Sequence, residues 1–212
     1  MKSFTELSKA LHWRYAVRRF SDEIVESEKV EQLLSALGLS ASSYGLQPYK
    51  ILLIKSKTVR QSLVEHSMGQ DKVLNSSHLI VLAAETKSGS ELVDRYIQQF
   101  STIRGVPVKD LSGMRKHFQG AIDAMSESER LEWAHQQAYL ALGNLLTSAA
   151  LLNIDACPMG GFDKQGYDRV LRLEELGLTS TVICAIGYRH SQDSEACSAK
   201  VRFSRDQLVY DF

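Results

Sequence analysis

A long helix is predicted by the stretch SESERLEWAHQQAYLALGNLLTSAA, residues 126–150. Ser126 is followed three residues later by Glu129, the capping-box spacing that typically begins a helix. The apolar residues after it recur at helical spacing. Their main stripe consists of Leu131, Ala134, Ala138, Leu142, Leu145 and Ala149, widened by Tyr139, Leu146 and Ala150. Because a helix buries its apolar face, this helix should belong to the core.

Three short apolar runs with β-branched residues predict buried strands of one sheet. They are YKILLIK (49–55), HLIVLAAE (78–85) and STVICAIGY (180–188). Two amphipathic helices are predicted ahead of these strands. Their apolar residues are Phe4, Leu7 and Leu11 in the first helix, and Val30, Leu33, Leu34 and Leu37 in the second.

Residues 86–125 are prone to form helices but carry few strong core signals. We therefore expect them to form a helical insertion or lid. No other boundary is visible, and Pro48, Pro107 and Pro158 interrupt none of the predicted elements. The expectation is one domain over residues 1–212.

The charge balance argues against partners that need a broad positive field. The 212 residues contain 25 Lys and Arg and 25 Asp and Glu, so neither nucleic acid nor an anionic membrane surface is an expected partner. The opening MKSFTELSKALHW lacks the continuous apolar run of a signal peptide, and no segment approaches the roughly 20 apolar residues of a membrane span. We expect a soluble, unprocessed protein.

The three cysteines point to a reducing, cytoplasmic setting. Cys157, Cys184 and Cys197 show no paired spacing, which argues against a disulfide scaffold or a zinc site. The six histidines show no metal-ligand spacing and no spacing that pairs them with carboxylates. No metal site is therefore predicted.

A cationic cluster occurs in WRYAVRRFSDE, where Arg14, Arg18 and Arg19 lie within six residues of one another. A guanidinium group offers planar, bidentate donors that suit a phosphate better than the point charge of a lysine. Because the chain has no net charge, the cluster should act locally, on a compact anion. Taken alone, the arginines could equally be solvated or paired with the acidic residues that follow.

A possible ligand loop is SASSYGLQPYK, residues 40–50, which precedes the first strand. It offers the hydroxyl groups of Ser42 and Ser43, and Gly45 relaxes the backbone so that it could approach a flat heterocycle. The same composition also suits an ordinary helix-to-strand turn, because serine and glycine dominate turns for conformational reasons.

A second glycine-containing loop lies in DACPMGGFDK, residues 155–164. Gly160 and Gly161 precede the expected helix N-cap Asp163, so two backbone amides could meet an anion or a heteroatom there. A plain loop is the alternative.

A further pair of cations lies in AKVRF, residues 199–203. Lys200 and Arg202 share one side of an extended segment. Two such cations on their own would usually be solvated.

Together and in this order, these stretches resemble the nitroreductase family of FMN-dependent NAD(P)H oxidoreductases. The resemblance runs from about Trp13 to Arg202 and includes RYAVRRF, SSYGLQPY, GQDKVLNSSHLIV, AYLALGNLLTSAALLNIDACPMGGFD and the KVR tail. It is strongest with the oxygen-insensitive nitroreductase and dihydropteridine reductase type. It implies an α+β fold with a central mixed sheet flanked by helices, and an intertwined homodimer with one FMN at each subunit interface.

The resemblance also implies a set of cofactor-binding residues. Arg14, Lys200 and Arg202 would bind the flavin phosphate, and Arg18 would face the N1 and O2 edge of the ring, where negative charge collects on reduction. Arg19 would be the solvated member of its pair. The other implied positions are Ser42, Ser43 and Gly45 beside the flavin, Gln70 and Lys72 at its pyrimidine edge, Gly160 and Gly161 near N5, and Tyr15 and Ala16 in the arginine stretch.

Three of these positions depart from the family pattern. Ala16, Gly45 and Gly160 stand where the family often has serine, asparagine and glutamate, so any contact there must come from the backbone.

The implied mechanism is ping-pong, with FMN as the cofactor. NAD(P)H would reduce the flavin and leave, and a nitroaromatic, a quinone or an oxidised flavin would then take the same face. No side chain is expected to be catalytic, because the flavin carries the chemistry. No GxGxxG motif occurs, and nothing in the sequence distinguishes NADH from NADPH.

Two other functions remain open. One is a specialised reductase of a pterin, an enone or an aldehyde, with Tyr96, Phe100 and Phe118 as candidate pocket aromatics. The other is a flavin-binding dimer without turnover, serving as a sensor or cofactor store, because the same cations would bind FMN there.

Overall fold

Four strands form one sheet in the order β1-β2-β4-β3 in the computed structural model, which describes residues 2–212 and the side chains from residue 5 onward. The strands are β1 (Tyr49–Ile54), β2 (His78–Glu85), β3 (Asp155–Met159) and β4 (Leu178–Gly187). The helices are α1 (Lys2–Trp13), α2 (Ser27–Gly38), α3 (Lys57–Val64), α4 (Lys72–Asn75), α5 (Ser90–Arg104), α6 (Ser112–Asp123), α7 (Glu127–Leu151), α8 (Lys164–Leu171) and α9 (Arg205–Leu208). The predicted α+β class is therefore confirmed.

The sheet is antiparallel rather than mixed within one chain, since all three strand pairs run in opposite directions. Among the described residues, parallel pairing is confined to a single bridge between Ala16 and Ala156. Parallel neighbours need a crossover that carries the chain back along the sheet. The connection from β1 to β2 and that from β3 to β4 contain only short helices, and the eight-residue α8 in the second is about 12 Å long. They turn the chain at the end of each strand instead.

β3 corrects the sequence prediction of a loop over residues 155–164, since its first five residues form a strand. The strand lies at the edge of the sheet and contains Pro158, which pairs in register with Cys184. A proline cannot donate to a neighbouring strand, so within sheets it is tolerated at edges. The predicted N-cap Asp163 is confirmed at the start of α8.

α7 packs across the sheet as the stripe predicted. Its capping box is present: Ser126 N donates to Glu129 Oε2 at 2.7 Å, and Glu129 N donates to Ser126 Oγ at 3.3 Å. The stripe is buried at Ala134, Ala138, Leu142, Leu145, Ala149 and Ala150 and half-buried at Leu131 and Leu146. Tyr139 does not widen it, because this side chain is 49% exposed. In the described part of the chain, no helix is both long and apolar enough to cross a membrane.

The two predicted N-terminal helices are present as α1 and α2. Val30, Leu33 and Leu37 are buried under α7, and Leu34 is half-buried. In α1, Leu7 is half-buried and Leu11 is exposed. The side chain of Phe4 lies outside the described residues.

Residues 86–125 form α5 and α6, so their predicted helical character is confirmed. Contrary to the weak core signals read from the sequence, the two helices bury a small core of their own. It consists of Leu92, Val93, Ile97, Leu111 and Ile122, together with Leu46. α5 is tied to the sheet by the buried Glu85, which accepts two hydrogen bonds from Arg95 NH2 at 2.7 and 2.9 Å. A lid movement of this unit stays a prediction.

The C-terminal residues after Cys197 extend over the surface, with α9 as their only helix among the described residues. Their large apolar side chains are exposed. These are Val201, Phe203, Leu208, Val209, Tyr210 and Phe212.

Candidate functional site

An open cavity of about 890 Å³ lies where both ends of the chain meet the edge of the sheet. Four segments line it: the end of α1 with the loop after it, residues 68–72, the end of β3, and residues 195–202. The sheet and α1 fix the positions of these segments. The bridge between Ala16 and Ala156 holds the loop after α1 against β3, and the bridge between Phe20 and Arg189 holds the end of that loop beside β4.

The cavity brings together most of the residues that the sequence predicted. The predicted residues that line it are Arg14, Tyr15, Ala16, Arg18, Gln70, Lys72, Gly161, Lys200 and Arg202. Gly160 adjoins Gly161 but does not line it, and Ser42, Ser43 and Gly45 lie elsewhere. One cavity therefore unites stretches that are up to 188 residues apart in the chain.

Arg14 is the centre of a cation cluster in this cavity. Its Nε is buried and has no hydrogen-bond partner. Burial lowers the pKa of Arg14, and the charge of Arg202 lowers it further. The pKa of Lys200 is also lowered, by burial and then by the charges of Arg14 and Arg202. Three cations that oppose one another's charge form a site that an anion would stabilise.

Lys200 also binds the end of α1. Its ammonium group donates to the carbonyl oxygen of Leu11 at 2.8 Å and also to that of Arg14. These carbonyls lie at the C-terminal end of α1, where the helix leaves acceptors unpaired and favours a cation. Lys200 thus ties the C-terminal segment to the loop that carries Arg14.

Arg18 and its neighbour are held by a buried carboxylate. The backbone amides of Arg18 and Arg19 both donate to Asp193 Oδ2 at 2.8 Å, and the amide of Glu195 donates to Asp193 Oδ1 at 3.0 Å. The guanidinium group of Arg18 lies 3.4 Å from Glu195 Oε1, and both side chains are exposed. The charge of Arg18 at the cavity is therefore partly neutralised.

The opposite wall offers polar groups and a thiol. Gln70 Nε2 donates to the carbonyl oxygen of Gly161 at 3.0 Å, which links the two loops. Lys72 Nζ lies 3.6 Å from Cys157 Sγ. Burial raises the pKa of the Cys157 thiol, and the charge of Lys72 opposes that shift. All three cysteines are free, and no cluster of metal-ligating side chains occurs in the described part of the chain.

A sequence model described as the Nitroreductase family matches residues 11–188. The chain belongs to this family. As a nitroreductase family member, the protein is an oxidoreductase.

The similarity to known proteins extends over nearly the whole length of this family member. It is 30% identical over 209 residues to a Staphylococcus saprophyticus protein named "Putative NAD(P)H nitroreductase", with 94% of each chain covered. A Bacillus subtilis structure described as a "putative nitroreductase" has a TM-score of 0.88 at 18% identity and covers 99% of this chain and 100% of that one. A "putative nitroreductase" from Exiguobacterium sibiricum, solved in complex with FMN, has a TM-score of 0.82 at 20% identity, with 99% and 97% covered. The two structures show the shared fold.

In this nitroreductase family member, the predicted loop of Ser42, Ser43 and Gly45 packs away from the cavity of its own chain. The amide of Ser43 donates to Gln137 Oε1 at 2.9 Å. Gly45, at φ +74°, lies so close to the Tyr96 ring that an added Cβ would be 3.1 Å from a ring carbon. The loop therefore packs against α5 and α7 rather than against the cavity.

Sequence reasoning missed the residues that hold the cavity in shape. Asp155, Arg189, Asp193 and Glu195 were not singled out. Asp155 begins β3, and Arg189 closely follows β4. A charged residue at the end of a predicted buried strand is the signal that could have pointed to Arg189, because an unpaired charge there would be costly.

Asp193→Asn should make the stability of this family member less dependent on acid pH. Burial alone would raise the pKa of Asp193, but the amides of Arg19, Glu195 and Arg18 bring it below its ordinary value. A depressed folded-state pKa gives stability that is present above the unfolded value of about 3.9 and lost as pH falls through the folded value. We expect a loss of about 1 kcal/mol at neutral pH, since charged hydrogen bonds are stronger than neutral ones.

Urea unfolding of both proteins across a pH series measures this effect. The difference between parent and Asp193→Asn should be constant near neutral pH and shrink below about pH 4. Asp110→Asn, at an exposed carboxylate outside the proposed interface, is the matched control. A difference that does not change with pH would contradict the assignment.

Proposed function

We propose that the protein binds FMN in this cavity and carries electrons from NAD(P)H to nitroaromatics, quinones or similar electron-poor acceptors. The observation that carries the proposal is the buried, unpartnered Nε of Arg14 beside Arg202 and Lys200. The phosphate of FMN carries close to two negative charges at neutral pH and would neutralise this cluster. Family membership supports the same cofactor.

The remaining cavity residues fit a flavin ring. A volume of about 890 Å³ suits a cofactor of this size, because small-molecule sites commonly span about 300–1,000 Å³. Gln70 and Lys72 offer donors to the pyrimidine edge, and the absence of a side chain at Gly161 leaves space near N5. FMN, when bound, supplies the hydride chemistry. The protein would orient it and set its electrostatic surroundings.

No side chain is required as a general acid or base. Among the residues described by the structure, His12 is the one histidine that lines the cavity, and its Nδ1 lies 2.7 Å from the carbonyl oxygen of Ser8, within its own helix. A single open cavity would admit NAD(P)H and the acceptor in turn. This arrangement favours a ping-pong mechanism.

We propose further that the protein is a homodimer in which the partner completes each cavity. The loop of Ser42, Ser43 and Gly45, which the family resemblance puts beside the flavin, lies outside the cavity of its own chain. It could reach the flavin of a second copy. The exposed apolar residues of the C-terminal segment would supply the contact area.

Anaerobic spectroscopy tests the enzyme. The purified, FMN-loaded protein should be yellow, lose its colour on mixing with NADPH or NADH, and regain it on addition of a quinone. Parallel double-reciprocal plots at varied acceptor concentration would support the ping-pong order. A protein that binds FMN but stays yellow would be a flavin store, and one that does not bind FMN would refute the proposal altogether.

Arg18 and Glu195 should shift the potential of bound FMN in opposite directions. Positive charge at the N1 and O2 edge favours the reduced, anionic flavin, so Arg18→Gln should lower the midpoint potential and Glu195→Gln should raise it. Exposed pairs are worth about 0.2–1 kcal/mol, and about 30 mV corresponds to 1.4 kcal/mol for two electrons, so each shift should be about 5–20 mV. Spectroelectrochemical titration measures both. Shifts of the same sign would show that this pair does not tune the flavin.

A further inference from the structure

Arg189 is held in one fixed orientation behind the cavity. Its Nε donates to Asp155 Oδ1 and Oδ2 at 2.9 and 3.0 Å, and its NH2 donates to Oδ1 at 2.6 Å. Its backbone amide also donates to Oδ2 at 2.8 Å. The Asp155 side chain is 3% exposed and that of Arg189 is 23% exposed. A buried pair with this bidentate geometry is rigid.

Two aromatic rings stack on this guanidinium group. Its Cζ lies 4.2 Å from the centre of the Trp13 ring and 4.6 Å from the centre of the Tyr15 ring. Both distances are within the range of cation–π contacts. Arg189 therefore contacts the residues on either side of Arg14.

Arg189 does not touch the proposed cofactor itself. It is absent from the residues that line the cavity, whereas Trp13, Arg14 and Tyr15 all line it. Its positive charge is already neutralised by Asp155, so it adds little to the field that a phosphate would feel. Any effect of Arg189 on phosphate binding must pass through the segment that it holds.

We propose that Arg189 is a positioning residue that aims Arg14 at the phosphate of FMN. This inference rests on the proposed function. Fixing the two flanking side chains on one guanidinium group limits the backbone freedom of Arg14, whose Nε has no partner of its own to orient it. A donor that is oriented in advance loses less entropy on binding its ligand.

The test compares FMN with riboflavin, which lacks the phosphate. Arg189→Gln should raise the dissociation constant for FMN about tenfold and leave that for riboflavin within about twofold. Arg189→Lys should not rescue binding, because an ammonium group cannot make the bidentate, planar contacts. Arg172→Gln, which removes an exposed arginine paired with Glu175, is the matched control and should change neither constant.

Arg189→Gln leaves Asp155 buried without its partner and could fail to fold. Two further variants test the proposal if Arg189→Gln does not fold. Asp155→Asn combined with Arg189→Gln removes both charges together, and Trp13→Leu keeps the ion pair but removes one ring. In each, the ratio of the FMN to the riboflavin dissociation constant should rise at least about fivefold.

A spectroscopic readout is independent of flavin binding. In a Trp133→Phe background, Trp13 is the only tryptophan. Arg189→Gln should expose its ring, so that acrylamide quenches the Trp13 fluorescence more strongly than in the parent. Equal loss of FMN and riboflavin binding would overturn the proposal, as would unchanged FMN binding in all folded variants. A parent protein that binds neither flavin would refute the proposed function itself, which is a distinct result.

Discussion

Arg14→Ala is expected to weaken FMN binding by about one to two decades and to leave riboflavin binding nearly unchanged. Arg14 is the cation of the cluster whose buried Nε has no partner, so its bond to a phosphate would be a new, charge-assisted hydrogen bond. Such a bond contributes about 1.5–3 kcal/mol, and each 1.4 kcal/mol is a factor of ten. Titration of the flavin-free protein with each flavin, followed by flavin fluorescence, measures both constants.

A matched variant and a competitor make this result specific. Arg172→Ala removes an exposed arginine that does not line the cavity, and this variant should bind FMN like the parent. Inorganic phosphate should compete with FMN in the parent more strongly than in Arg14→Ala. If Arg14→Ala loses FMN and riboflavin equally, Arg14 shapes the cavity rather than binding the phosphate.

The elements that the sequence predicted correctly are those with a strong local pattern. α7 could be predicted from its capping box and its apolar stripe, because both depend on spacings of three and four residues. β2 and β4 are continuous apolar runs that are buried along nearly their whole length. β3 carries a short pattern that Pro158 interrupts, and only its place at the sheet edge explains why it is a strand.

Only part of the candidate site could be predicted from the sequence, because its residues come from distant parts of the chain. Its cations are readable one by one, but contacts between distant residues are not encoded in local spacing. Lys200 illustrates this, since its bonds to Leu11 and Arg14 cross 189 and 186 residues. The mixed sheet came from the resemblance and could not be checked against any spacing in the sequence. Tyr139 was placed on the buried stripe by periodicity alone, although it faces out near Gly160.

The loop from Ser42 to Gly45 lies outside the cavity of its own chain. This separation links the proposed cofactor site to the proposed dimer. Lys200 and Arg202 belong to a segment whose later residues are apolar and exposed: Phe203 is 70% exposed and Tyr210 is 80% exposed. Several large apolar side chains exposed in one segment are typical of an interaction surface, which supports the proposed dimer. The same C-terminal segment would thus both close the phosphate site and bind the partner.

Removal of residues 204–212 is therefore expected to dissociate the proposed dimer and release FMN. Burying Leu208, Tyr210 and Phe212 on a partner would contribute about 1.5–3 kcal/mol for each side chain. Ordering the segment offsets part of that gain. We expect the dimer dissociation constant to rise at least about a hundredfold, equivalent to about 2.7 kcal/mol.

The truncation separates assembly from phosphate binding, because it keeps Arg14, Lys200 and Arg202. Loss of FMN in the monomer would then reflect loss of the partner's contribution rather than of these cations. Sedimentation velocity over a range of concentrations measures the assembly, and flavin absorbance measures the bound FMN. Asp211→Asn changes only a polar residue of the segment and should remain a dimer. If the truncated chain stays dimeric and yellow, the segment after Phe203 is not the interface, and the exposed faces of α1 and α7, with Leu11 and Leu140, become the next surfaces to test.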